Sequence, residues 1–137
     1  MSGHGEELTI GIEEEYLLVD PDTGALATRP PSGFMVRCKE ILGPRVTHEY
    51  LQSQVEIGTS VCRNLKEARA ELSELRTAVA QTAKDHGMRM IAASTHPWAH
   101  WREQEPGDME RYRSLGAEHR TLARRMSMCG MHVHAQI

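Results

Sequence analysis

Residues 8–19, LTIGIEEEYLLV, alternate between apolar and polar side chains in the way that predicts a strand with two unlike faces. Ile10, Ile12, Tyr16 and Leu18 share one face; Gly11, Glu13 and Glu15 share the other. Strict alternation puts Glu14 on the apolar face, a placement that a local twist or an exposed strand end would relieve. Asp20-Pro21-Asp22-Thr23-Gly24 then reads as a turn, because Pro presets one dihedral and Gly accepts positive φ. A short helix is expected over 34–42, stopping at Gly43-Pro44, and a second strand over 46–59. In that strand Gln52, Gln54 and Glu56 line one face against Leu51, Val55 and Ile57.

The longest periodic stretch lies farther on. Leu65, Ala68, Leu72, Leu75, Val79 and Ala83 recur at spacings of three and four, which predicts an amphipathic helix over 65–86. Asn64 is placed to cap it, with Glu67 three residues on in a capping-box arrangement, and Gly87 is placed to end it. Residues 88–94, MRMIAAS, read as a buried strand broken by Thr95-His96-Pro97, and 98–108 as a loop. A further helical stretch is expected within 109–128, with Leu115, His119, Leu122 and Met126 on one stripe. After Gly130, residues 131–137 alternate as a last strand. This order of elements suits either a parallel α/β layout or an α+β sheet packed on helices, and local pattern leaves both open.

Length and charge narrow the field. The chain of 137 residues fits one small domain or part of a larger one. Aromatic residues make up only 4%, so the core must rest on Leu, Ile, Val, Ala and Met. Residues 1–7 are polar and expected to be mobile. The alternating pattern is still running at Ile137, so the domain is expected to continue beyond it. With a net charge of −3 and no Lys/Arg block, nucleic-acid binding is not expected. Cys38, Cys62 and Cys129 are odd in number and form no C-x-x-C pair, which favours reduced thiols over a disulfide framework. No secretory signal and no apolar run near the ~20 residues of a membrane span occur, so a cytoplasmic protein without membrane contact is expected.

Candidate chemistry gathers in three segments. Glu13 and Glu15 project from one strand face, roughly 7 Å apart by the strand rise. Like charges held so close repel unless a cation lies between them, and hard divalent ions such as Mg2+ take oxygen ligands. In His132-Val133-His134 two imidazoles share a face with Gln136, a donor set for a divalent metal that also suits zinc. Glu56 lies on the polar face of the second strand. Glu49 has the opposite parity and joins that face only through a bulge, or by preceding the regular strand. Each segment alone also fits a plain solvated strand face. Among the other histidines, His96 before Pro97 is a modest functional candidate, whereas His4, His86, His100 and His119 suit tail, helix-end, loop and core-boundary roles. No G-x-x-x-x-G-K-[ST] loop is present.

Together these segments are more specific. GIEEEYLLVD at 11–20, YLQSQVEIGTSVCRNLKEAR at 50–69 and CGMHVHAQI at 129–137 resemble three signatures of the carboxylate–amine ligases of the type-2 glutamate–cysteine ligase family, in order and spacing. That family is related in fold to glutamine synthetase. The resemblance implies an α+β fold with a curved, mainly antiparallel sheet flanked by helices, incomplete in this chain. Residues 8–137 would be the N-terminal portion of the ligase catalytic domain. The sheet's concave face would hold ATP, Mg2+ (or Mn2+) and an amino acid. By position, Glu13, Glu15, Glu56, Glu49 and His132 would be metal ligands and His134 would contact ATP phosphate.

The implied reaction is ATP-dependent amide formation through an acyl phosphate, with glutamate and an amine such as cysteine as substrates. No side chain is assigned as a covalent catalyst. A homo-oligomer or a complementing C-terminal portion would be consistent with an incomplete site, and this stretch alone would be inactive. Ala135-Gln136-Ile137 departs from the expected Val-Gly-aliphatic, so contacts near Gln136 are expected to differ. Two other readings stand beside this one: a zinc-dependent hydrolase built on His132 and His134, and a non-catalytic binding module of the same fold.

Overall fold

The computed structural model of the chain describes residues 8–106 and 128–136. Its elements are strand β1 (Ile10–Val19), helix α1 (Gly33–Leu42), strands β2 (Val46–His48) and β3 (Gln54–Gly58), helix α2 (Leu65–Asp85), and strands β4 (Arg89–Ile91) and β5 (Met131–Ala135). Every pairing is antiparallel, so the α+β layout holds and the parallel one does not. The helical stretch expected within 109–128 and the tail at 1–7 lie outside the described residues. No helix among the described residues is long and apolar enough to cross a membrane.

β1 organises the sheet. One edge pairs with β3 from Glu13 to Leu17. The other edge is shared end to end, with β5 along Ile10 to Glu14 and β4 along Leu17 to Val19. Between those two partners the Glu15 N–H donates to Gly130 O at 3.0 Å, so the strand's middle is not left unpaired.

The two helices cover one face. On α2, Ala68, Leu72, Leu75, Val79, Thr82 and Ala83 are buried, and on α1 Phe34, Cys38 and Leu42 face the same core at intervals of four. Ile12, Tyr16 and Leu18 of β1 and Val55 and Ile57 of β3 complete it. Such a core is held by burial, at about 1.5–3 kcal/mol for each large apolar side chain. Leu65, counted in the apolar stripe by spacing, is instead 75% exposed at the first position of α2. Asn64 caps the helix by accepting from the Glu67 N–H at 3.0 Å, and the Glu67 carboxylate reaches back to the Arg63 N–H at 2.9 Å. Gly87 ends the helix with φ 72°.

Two expected strands are corrected. The 46–59 stretch is a hairpin, with β2 folding back on β3 so that Thr47 stands opposite Glu56. Its turn lacks a glycine signal because other parts of the chain hold it. Gln52 N–H donates to Glu105 O, Gln52 Nε2 donates to Pro106 O, and Ser53 Oγ bonds Gln104 Oε1. The 88–94 strand shrinks to three residues and is only half-buried, with β5 occupying the other half of that edge of β1. Within the loop expected at 98–108, the described residues include a short 3-10 turn, Trp101–Glu103.

Candidate metal centre

The face of the sheet away from the helices carries the candidate residues. β1 aims Glu13 and Glu15 there, and the antiparallel register sets Glu56 opposite Glu15, His132 opposite Glu13 and His134 opposite Gly11. Directly opposed residues share a face, so three strands separated in sequence deliver their polar side chains to one surface. Leu17, of the same parity, is fully buried, so this face closes over at that end of the strand.

Two groups form. In the first, Glu15, Glu49 and Glu56 each offer a carboxylate oxygen, all within 4.8 Å of one another. Glu49 joins because it precedes β3, in the hairpin turn, where strand parity no longer constrains it. The chain fixes these oxygens with its own donors: Thr47 Oγ1 to Glu56 at 2.8 Å, the Gly130 N–H to Glu15 at 2.9 Å and the Tyr50 N–H to Glu49 at 3.1 Å. Burial pushes the Glu49 carboxyl up to about 7, and the neighbouring Glu56 and Glu15 add to the rise against the Tyr50 N–H. The rise reflects uncompensated negative charge where three acids meet, the position a divalent cation would take. The donor set is all oxygen, which fits Mg2+ or Mn2+.

In the second group, Glu13 Oε2 lies 3.1 Å from His134 Nε2 and 3.5 Å from His132 Nδ1. These side chains are open to solvent. Glu13 and His134 border a groove of about 510 Å³ lined also by Thr9, Gly11, Gly58, Thr59 and Gln136. Gly11 and Gly58 both line it, and a Cβ on Gly58 would make ordinary contact with the Glu13 Cγ at 3.8 Å. Gln136, where glycine was expected, accepts from Thr9 Oγ1 at 2.8 Å and borders this groove with a full side chain. The structure thus brings Glu49 in with Glu15 and Glu56, and gathers Glu13, His132 and His134 apart from them.

Glu14 lies at neither a twist nor an exposed end. It is 6% exposed on the helix side, where Arg76 of α2 grips it through Nε at 2.8 Å and through a second, closer Nη2 contact. Tyr16 OH also donates to it, and Arg76 Nε lies 3.0 Å from that oxygen. The Arg76 hydrogen bond leads in lowering the Glu14 carboxyl below its usual range, against burial. Sequence reasoning missed Arg76, although an arginine four residues beyond Leu72, inside the apolar stripe of α2, was the available signal.

His96 proves to be a fastening. Its Nε2 bonds Gly24 O at 2.8 Å and its Nδ1 accepts from the Ala99 N–H at 3.1 Å, so both nitrogens are committed. His86 Nδ1 bonds Thr82 O at the end of α2, and His100 accepts from the Arg102 N–H. All three cysteines are free and buried, and burial pushes the Cys38 and Cys129 thiols up to about 11, which leaves them unreactive near neutral pH.

Comparison with known proteins gives the chain's relatives. A model of glutamate–cysteine ligase family 2 matches residues 9–137. A Rhodospirillum rubrum protein carrying the provisional name glutamate–cysteine ligase 2 is 46% identical over 133 residues, covering 94% of this chain and 34% of its own length. A Jannaschia protein of the same provisional name is 44% identical over 129 residues, with the same two coverages. The chain thus spans about a third of the length of the curated relatives it matches. Among solved structures, glutamate–cysteine ligase from Francisella tularensis in complex with AMP superposes with a TM-score of 0.66 at 19% identity, over 95% of this chain and 27% of that one. A bifunctional glutathione synthetase from Pasteurella multocida gives 0.68 at 18% identity, over 95% and 17%. At such identities these two establish the fold.

Proposed function

The chain belongs to glutamate–cysteine ligase family 2, and on that premise we propose that its open sheet face is the metal-holding wall of an ATP-dependent carboxylate–amine ligase. The observation that carries this reading is the convergence of Glu15, Glu49 and Glu56 within 4.8 Å, on a face that also bears Glu13, His132 and His134. Glu15, Glu49 and Glu56 would hold one Mg2+, and Glu13 with His132 a second. His134, beside the open groove, would face the nucleotide phosphates.

In such a ligase a substrate carboxylate attacks the γ-phosphate of ATP, and an amine then displaces phosphate from the acyl phosphate. Bound Mg2+ supplies charge neutralisation that lets two anions approach. This chain's part is to hold the carboxylates in place and keep water from the deeper end of the face, where Leu17 is buried. No nucleophilic side chain is needed, in keeping with three buried thiols. Glutamate is the proposed acid and cysteine the leading amine.

The test is phosphate release by the full-length protein with Mg2+ and ATP. Release that requires both glutamate and an added amine supports the ligase; none across a panel of amino acids rejects it and leaves the binding-module reading. The zinc-hydrolase reading draws on Glu13, His132 and His134. Tight zinc binding without nucleotide affinity would favour it, but the all-oxygen Glu15-Glu49-Glu56 group is the wrong donor set for it.

A further inference from the structure

The Glu14–Arg76 pair is more than the fold needs. A buried ion pair is often no more stabilising than apolar residues of similar volume, because desolvation offsets the attraction. Around Glu14 the surroundings are apolar, with Ile12 and Leu18 on the same strand face and Leu72, Leu75 and Val79 on α2 all buried in one cluster, while Arg76 reaches it from a half-exposed position. A leucine at position 14 would have served burial. What the pair adds is direction. Arg76 meets both oxygens of Glu14 through a planar fork, and Tyr16 OH donates to one of them from two residues along. Helix α2 is itself fixed by five core contacts along its length, of which Leu75 and Val79 are wholly buried. Position 14 is therefore pinned both along the strand and in rotation about it.

Position 14 is also the residue between the two carboxylates that matter. Glu13 belongs to the imidazole group and Glu15 to the acidic group, and both hang from the peptide units that flank Glu14. Turning or sliding the strand at this point moves both together, because residues two apart share one face of the sheet. We propose that Arg76 is a positioning residue for the metal-holding face: by clamping Glu14 from behind the sheet it sets the spacing and aim of Glu13 and Glu15. This rests on the ligase reading for what those carboxylates bind. Arg76 bonds Glu14 and Tyr16, and through them acts on Glu13 and Glu15 by way of the backbone of β1. Because Arg76 and Glu14 neutralise each other, the pair adds no net charge to the field at the site.

The experiment uses Mn2+ alone, followed by its paramagnetic resonance signal, on the full-length protein and on its triple variant Glu14→Leu/Tyr16→Phe/Arg76→Met. That variant keeps net charge and volume and leaves no buried polar orphan, so it is expected to unfold at a urea concentration equal to or above that of the parent. Its Mn2+ affinity is expected to fall about tenfold, the low end for loss of groups that support metal ligands. Arg76→Lys, which keeps charge without the fork, is expected to lie between. If the triple variant is as stable as the parent and binds Mn2+ equally well, the clamp is structural only and the inference is overturned while the ligase reading stands. If the parent binds no Mn2+, or binds it identically after Glu15→Gln, the metal-holding reading fails and the inference falls with it.

Discussion

On the helix-covered face of β1, Glu14 is 6% exposed and meets a guanidinium and a phenol; on the opposite face its neighbour Glu15 meets two more carboxylates. The residue type, the strand and the solvent are the same, and only the partners differ. Where α2 supplies a cation, the buried carboxylate becomes a fastening. Where the strands supply only more acid, the negative charge is not answered by any cation of the sheet itself. Among the described residues no lysine or arginine ion-pairs with Glu15, Glu49 or Glu56. The contrast explains why a run of three glutamates is compatible with a folded strand at all. Alternation sends the middle one to a partner built for it, and the outer two to the open face.

Breaking the fastening should have the largest effect. Arg76→Met leaves Glu14 buried without its cation, and stability is expected to fall by about 3 kcal/mol. That is the low end for a broken buried pair, since half of the Arg76 side chain is in water. Glu15→Gln, one residue along, removes a like-charge neighbour of Glu49 and Glu56 and is expected to leave stability within about 0.5 kcal/mol or raise it slightly. Urea denaturation of the two variants without metal checks the pair of outcomes. Equal losses would mean that the two faces do not differ as described.

Metal titration sharpens the contrast on the open face itself. Glu15→Gln and Glu56→Gln are expected to weaken one Mn2+ or Mg2+ equivalent by about tenfold, close to 1.4 kcal/mol. Glu13→Gln and His132→Ala are expected to weaken a different equivalent and to lower Mg–ATP affinity in the full-length protein, with the fold intact by circular dichroism. The two groups are separated in the structure, so a loss confined to one equivalent per pair is the expected pattern. Loss of both equivalents from any single change would show one shared site.

Much of this was legible in the sequence because strand parity is a two-state property. Glu13 and Glu15 could point only one way or the other, and His132 with His134 likewise. What local pattern could not supply was register. That Glu15 stands opposite Glu56, and Glu13 opposite His132, follows from long-range pairing. The hairpin at 49–53 was hidden because its turn is held by residues 104–106 rather than by a glycine of its own. It also decided the place of Glu49. Arg76 was overlooked for the same reason: a charged residue in an apolar stripe reads as a blemish until its partner, more than sixty positions away, comes into view.

The smallest effects lie in the pH dependence, and there the two faces should differ in sign. Hydrogen bonding to Arg76 holds Glu14 below its ordinary 4.5, so the native state keeps that carboxylate ionised where the unfolded chain would protonate it. Its contribution is full above pH 4.5 and is lost as pH falls through the lowered value. Burial and acidic neighbours raise Glu49 from 4.5 to about 7, so the native state holds a proton that the unfolded chain releases. Its contribution is full below pH 4.5 and is lost as pH rises towards 7, by no more than about 1 kcal/mol, since Glu49 is only half-buried and water screens it. Urea midpoints in a metal chelator should therefore decline gently from pH 5 to 7. Glu49→Gln should flatten that slope while leaving the acid limb alone, and Glu14→Gln should do the reverse. Added Mg2+ should bind more tightly at pH 8 than at pH 6, because it must displace the Glu49 proton, and in Glu49→Gln that difference should shrink even as overall affinity drops. A slope in the parent that Glu49→Gln leaves untouched would place the shared proton elsewhere on the face.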